Sequence, residues 1–200
     1  MITGRQAHHQ VDPLFLERWS PRAFDCKEMP TSDLMIIFEA ARWAPSSFNA
    51  QPWRFLYAKR EDKNWDRFLK LLVPYNQSWA CRGAVLIYIL SDSKMELKAG
   101  QPFDSHTHSF DAGAAWANMA LQAFKLGYHA HGMAGVDWDA ARAELEVPER
   151  FRIEAAAVIG RVGDKGCLNE ALQAREVPSG RNRVEEFAFR GEFPDPDDID

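Results

Sequence analysis

The stretch APSSFNAQPW, Ala44 to Trp53, packs two prolines, two serines, an asparagine and a glutamine into ten positions. It lies at the break between an amphipathic helix pattern and an aromatic strand pattern. Pro45 ends the preceding helix, and Pro52 drives Gln51 into an extended conformation. The hydroxyls and amides between them donate and accept hydrogen bonds but include no strong base. Such a segment presents polar groups from a fixed backbone and suits a flat, polar ligand. An ordinary capped loop is the other reading of the same residues.

Upstream, Asp12 and Pro13 have the N-cap and first-turn chemistry of a short helix through LFLER. That helix stops before Pro21 and leaves Arg18, Ser20 and Arg22 at its exit. Thr31 or Ser32 caps the next helix, whose Leu34, Ile37, Phe38 and Ala41 keep helical spacing. Downstream, WRFLYAK alternates Trp53, Phe55 and Tyr57 with Arg54, Leu56 and Ala58, as a strand does. Helical period returns at Trp65, Phe68, Leu69 and Leu72 and is closed by Pro74. YNQSWACRG is a second polar and aromatic interruption before AVLIYIL, a continuous apolar run with the look of a buried strand. SDSKMELKAGQPFDSHTH has no period and is expected to be a long loop.

Ser105 or Ser109 caps the helix FDAGAAWANMALQAFKLGY, which ends at Gly127 in the position of a left-handed C-cap. Its Gly113, Ala114, Ala115, Ala117 and Ala120 form a face of small residues that lets another element approach closely. HAHGMAGVD is a short strand or loop, Asp137 caps a brief helix to Leu145, and IEAAAVIGRVG is the last strand. The tail SGRNRVEEFAFRGEFPDPDDID is too polar to build its own core. Its Phe187, Phe189 and Phe193 call for another subunit's surface.

A chain of 200 residues, 46% apolar and 26% charged, has the composition of one soluble domain over 1–200, with flexible ends at about 1–11 and 194–200. A net charge of −5 argues against nonspecific nucleic-acid binding. No apolar run reaches the length of a membrane span, and the first residues lack the apolar core of a signal peptide, so the cytoplasm is the expected compartment. Cys26, Cys81 and Cys167, an odd and widely spaced set, read as free thiols in a reducing environment. Alternating helix and strand signals allow an α/β doubly wound parallel sheet or an α+β fold.

Phosphate-loop, dinucleotide-fingerprint, zinc-protease and serine-hydrolase motifs are all missing. His106 with His108 and His129 with His131 form two HxH pairs that in extended chain direct both rings to one face, the raw material of a zinc site. No carboxylate is placed beside them to activate a metal-bound water, and no metal is assigned. The arginines form a second constellation: Arg18 and Ser20, two apart just past a helix, offer a guanidinium and a hydroxyl to one phosphate, and Arg181 and Arg183 complete a clamp from the tail. Solvated surface arginines are the bland alternative.

Taken in order, ERWSPRAFD, APSSFNAQPW, PYNQSWACRGAVLI, FDAGAAWANMALQAFKLGYHAHGMAGVD and SGRNRVEEF resemble the nitroreductase family of FMN-dependent oxidoreductases, over about Leu14 to Phe187. The RxSxR opening and the PSSxNxQPW block are the most specific parts. The resemblance implies an α+β, three-layer fold with a mixed, mostly antiparallel sheet flanked by helices, and a C-terminal tail extending onto the partner of a homodimer. It implies FMN as cofactor and NADH or NADPH as reductant. Hydride passes through flavin N5 to a nitroaromatic, quinone or similar small acceptor in a ping-pong cycle, and no catalytic acid or base is needed.

By the same resemblance, Arg18, Ser20, Arg181 and Arg183 hold the phosphate; Trp19 departs from relatives, where this position is often smaller or basic, and is expected to narrow the entrance or touch the ribityl region. Arg22 and Asn76 address the pyrimidine edge of the ring. Pro45, Ser46, Ser47 and Asn49 approach from the other subunit. Gly132 and Met133 pack on one ring face, and the N–H groups of Ala134 and Gly135 address N5. The short segment before the Phe110 helix departs from larger relatives and leaves an open pocket lined by His106, His108 and Trp116. The alternatives are a different redox reaction on the same fold and FMN (dehydrogenation, dehalogenation or flavin breakdown), or a flavin-storage protein without turnover.

Overall fold

A computed structural model describes residues 3–96 and 100–194 of the chain. Residues 1–2 and 195–200 of the ends expected to be flexible lie outside it. The organising strand is β2 (Val85–Asp92), buried at all eight positions. It pairs with β1 (Trp53–Lys59) on one side and with β6 (Phe151–Gly160) on the other, and β6 then pairs with β5 (His129–Met133). All three pairings are antiparallel, so the doubly wound parallel alternative is overturned.

The apolar run in β2 instead reflects helices on both faces. Val85, Ile87 and Ile89 join the core beneath α2 (Thr31–Arg42) and α5 (His108–Lys125). Leu86, Tyr88 and Leu90 join the opposite core with residues of α3 (Trp65–Lys70), α4 (Pro74–Ala80) and α6 (Trp138–Glu144). A strand covered twice has no polar face to alternate, whatever its direction. The result is an α+β fold of three layers.

Several local expectations need correction. α2 starts at Thr31 with Pro30 in the cap position and no side-chain cap from Thr31 or Ser32. Pro74 opens α4 instead of closing α3, because at the first helical position its missing N–H costs nothing, and the segment YNQSWA is helical. The expected long loop contains a small hairpin, β3 (Lys94–Met95) with β4 (Phe103–Asp104). Thr107, not a serine, occupies the cap of α5; Ser109 lies inside the helix and donates to Glu154. Gly127 does close that helix with φ of +80°.

The small-residue face of α5 is split. Ala115 and Ala120 are buried with Ala112 and Ala123, whereas Gly113 and Ala117 lie exposed beside Phe110, which is 79% exposed. α1 (Pro13–Glu17) is capped by the Asp12 carboxylate, which accepts from Leu14 N–H at 2.8 Å, and α6 is capped by Asp137. α7 (Glu170–Gln173) precedes the tail, whose phenylalanines are largely exposed, Phe187 at 63% and Phe193 at 73%. Among the described residues no helix is long and apolar enough to cross a membrane.

Candidate functional site

Two clefts meet beside β5. One, of about 380 Å³, is walled by Arg18, Trp19, Ser20 and Arg22 from the exit of α1, by Arg5, and by Arg175 and Arg181 beyond α7. The other, of about 280 Å³, is walled by Tyr75, Asn76 and Trp79 of α4 and by Gly132, Met133, Ala134 and Gly135. Arg22 and His131 belong to both walls.

The RWSPR segment is extended because Pro21 stops α1 from continuing. It is then clamped from the far end of the chain. Glu176 Oε1 accepts from the main-chain N–H of both Arg22 and Ala23 at 2.7 Å, and Glu176 Oε2 lies 4.0 Å from the Arg22 guanidinium. Arg18 reaches the Ser20 hydroxyl at 3.5 Å, the two-residue arrangement expected from the sequence. Arg5 donates to the carbonyls of Leu16, Arg18 and Ser179, which ties the N-terminal arm and the tail to this wall.

The cations are crowded. Burial holds the Arg18 guanidinium below its ordinary range, with the charges of Arg5 and Arg181 adding to the effect. Arg5 is lowered likewise by burial and by Arg181, with Glu17 opposing. An arginine does not give up its proton at neutral pH, so the meaning is repulsion that a bound anion relieves.

Two histidines sit among them. Burial pushes His131 down to about 4, with Arg22 adding and the Pro21 and Ser20 carbonyls opposing. Its Nδ1–H donates to the Pro21 carbonyl at 2.9 Å, and its ring lies 4.6 Å from that of Trp79, centroid to centroid. Burial and then Arg18 bring His129 to about 4, and its ring meets the edges of Trp19 and Phe124.

The floor of the second cleft is docked tightly on α4. Asn76 Nδ2 and the Val73 N–H both donate to the Gly135 carbonyl, at 3.1 and 3.0 Å, and the Val136 N–H donates to that of Ala134. A Cβ at Gly135 would lie 2.4 Å from Asn76 Nδ2 and 2.8 Å from Val73 Cγ2, so any larger residue would have to push both side chains aside. With both carbonyls engaged, what the turn has to offer a ligand is N–H. Arg22 Nε and Trp79 Nε1, both beside this cleft, are buried with no partner.

The opening stretch stands apart. Pro45, Ser46, Ser47 and Asn49 line neither of these clefts. Phe48, Asn49 and Gln51 adopt φ of +51°, +56° and +49°, left-handed values that are costly for residues other than glycine. The extended backbone expected for Gln51 is therefore wrong: its N–H turns back to the Ser46 hydroxyl at 3.0 Å. Ser47 is pinned through its N–H to the buried Asp111 of α5.

Arg183, with Arg181, lines a separate groove of about 630 Å³ between the N-terminal arm and the tail. The first HxH pair is not extended. His106 is exposed in a turn, and His108 begins α5 with Nδ1 2.7 Å from the Ser91 hydroxyl. Trp116 lies behind Gly132, 3.2 Å from where a Cβ would stand.

Arg5, Glu176 and Trp79 are among the residues at the site that the sequence does not single out, as are Tyr75 and Arg175. Arg5 falls in the arm expected to be flexible, Glu176 lies outside every motif, and Trp79 sits in a segment taken for an interruption.

The family model described as Nitroreductase family matches residues 16–73. The chain is 47% identical to a crystal structure described as an oxidoreductase containing FMN, which covers 96% of this chain and 97% of that one with a TM-score of 0.93. A nitroreductase family protein from Streptococcus pneumoniae is 21% identical over 89% of this chain and 98% of its own, with a TM-score of 0.70, a likeness of fold. An uncharacterized 15.4 kDa protein from the ask 5' region of Mycolicibacterium smegmatis is 30% identical over 126 residues, 62% of this chain and 82% of that protein.

Proposed function

Because the chain belongs to the nitroreductase family, we propose that it is a single-domain, FMN-dependent oxidoreductase that works as a homodimer in the cytoplasm. The observation that carries this reading is the pair of joined clefts: crowded arginines and a serine hydroxyl in one, a close-packed glycine turn in the other. A ligand with a phosphate at one end and a flat, carbonyl-bearing ring at the other fits that donor set. The unpartnered Arg22 Nε and Trp79 Nε1 are further donors for it.

FMN, when bound, would supply the hydride-transfer chemistry, at N5, by which NADH or NADPH reduces a nitroaromatic, quinone or similar small acceptor in a ping-pong cycle. Arg18, Ser20 and Arg181 would hold the phosphate with Arg5 beside them, and Trp19 would flank the chain that leads from it. Arg183, lining the neighbouring groove, adds positive charge at longer range. Arg22 would stabilise negative charge that builds on the pyrimidine edge, with Asn76 facing the same edge. Gly132 and Met133 would support one ring face while Ala134 and Gly135 direct N–H groups at the reacting side.

In this reading Pro45, Ser46, Ser47 and Asn49 serve the partner's flavin, which accounts for their distance from the cleft of their own chain. Trp43 at 72% exposure, Phe48 at 75% and Phe110 at 79% give the apolar surface that such a dimer would cover. The exposed tail phenylalanines would pack on the partner. All three cysteines are free, as suits a reducing compartment.

The test is the absorption spectrum of the purified protein, followed anaerobically on adding NADH or NADPH. A yellow protein that releases FMN on denaturation and bleaches with either nucleotide is expected. A protein that neither carries nor takes up FMN would overturn the reading, and one that binds FMN but resists both nucleotides would reduce it to flavin storage.

A further inference from the structure

The charged groups that wall the joined clefts are donors, the guanidiniums of Arg5, Arg18, Arg22, Arg175 and Arg181, while the hydroxyls of Ser20, Ser179 and Tyr75 and the Asn76 amide both donate and accept. His131 adds a neutral ring nitrogen at the point where the two walls meet. Its Nδ1 carries the proton that goes to the Pro21 carbonyl at 2.9 Å, which leaves Nε2 as a lone-pair acceptor. Nε2 is not among the buried atoms left without a partner, and the ring, with the Ser20 carbonyl also beside it, lines both clefts.

The ring is also held in place. It packs 4.6 Å from Trp79, itself 1% exposed, and the Arg22 guanidinium stands 5.9 Å from the same indole. Burial keeps the imidazole neutral, the form in which Nε2 can accept. Its position matters as much as its chemistry, since His131 lines both the arginine cleft and the glycine-turn cleft.

A ligand spanning the two would place its connecting chain at this junction. In FMN that chain is a polyhydroxylated ribityl unit, whose hydroxyls bring donors within reach of this nitrogen. Resting on the FMN reading above, we propose that His131 Nε2 accepts a hydrogen bond from a ribityl hydroxyl and so selects flavins that carry the sugar chain. Phosphate recognition and chain recognition then fall to different residues.

The experiment titrates apo-protein with FMN, riboflavin and lumiflavin, following flavin fluorescence; riboflavin lacks the phosphate and lumiflavin lacks the chain. His131→Leu should weaken FMN and riboflavin about tenfold each, the loss of one neutral hydrogen bond, and leave lumiflavin unchanged. His131→Gln, which restores an acceptor oxygen, should recover much of that loss. On the wild-type protein, the ¹⁵N resonance of the His131 Nε2 should move when riboflavin binds and stay in place with lumiflavin, a readout independent of whether a variant folds. Equal losses for all three flavins, or an Nε2 resonance indifferent to riboflavin, would overturn the proposal while leaving FMN binding intact. Failure of the wild-type protein to bind any flavin would instead remove the FMN reading itself.

Discussion

Ser47 donates its main-chain N–H to Asp111 Oδ2 at 3.2 Å, joining the polar stretch to the first turn of α5 across 64 residues of sequence. The same oxygen accepts from the Thr107 hydroxyl at 3.1 Å, and Asp111 is 3% exposed. Asp111→Ala strands both donors and should destabilise the protein by roughly 1–3 kcal/mol in urea unfolding. Asp111→Asn keeps one acceptor oxygen and should cost less. Equal stability for Asp111→Ala and the parent would show that the contact does not hold the stretch.

Glu176 sets the other side of the site. Glu176→Ala leaves the N–H groups of Arg22 and Ala23 without an acceptor, a cost of roughly 1–3 kcal/mol for each that stays buried. It also frees the Arg18–Arg22 segment, so FMN affinity should fall together with stability. A variant that loses stability but binds FMN at full strength would separate the clamp from the site.

The buried histidines give the fold an acid limit. His129 and His131 both lie at about 4 in the folded chain against an ordinary value of 6.5, so between these values the unfolded chain binds more protons. Their contribution to stability is present above pH 6.5 and is lost as pH falls toward 4, at up to about 1.4 kcal/mol per pH unit for each. Denaturant unfolding between pH 7 and pH 5 should show this loss, and His131→Leu should remove part of the slope. A slope unchanged in that variant would mean that His131 titrates normally.

Strand β2, the caps at Asp12 and Asp137, and Gly127 were legible because each rests on local chemistry: apolar continuity, a short carboxylate before a helix, a residue tolerant of positive φ. Sheet direction was not, since AVLIYIL looks the same in a parallel sheet and in an antiparallel one covered on both faces. Pro74 misled because proline opens a helix as readily as it ends one. Gln51 escaped the restraint of Pro52 through its bond to Ser46, a contact that spacing alone does not announce. At the site, Arg18, Ser20 and Arg22 carried a motif. Arg5 and Glu176 reach it only through the fold, from 13 and 154 residues away in sequence.

The central claim is that the arginine cleft holds the phosphate of FMN, and the most direct measurement is the affinity of apo Arg18→Ala for FMN beside that for riboflavin. Loss of one charge-assisted contact, roughly 1.5–3 kcal/mol, should weaken FMN about 10- to 150-fold. Riboflavin, which has no phosphate, should bind the variant and the parent alike. FMN affinity unchanged by Arg18→Ala would contradict the account.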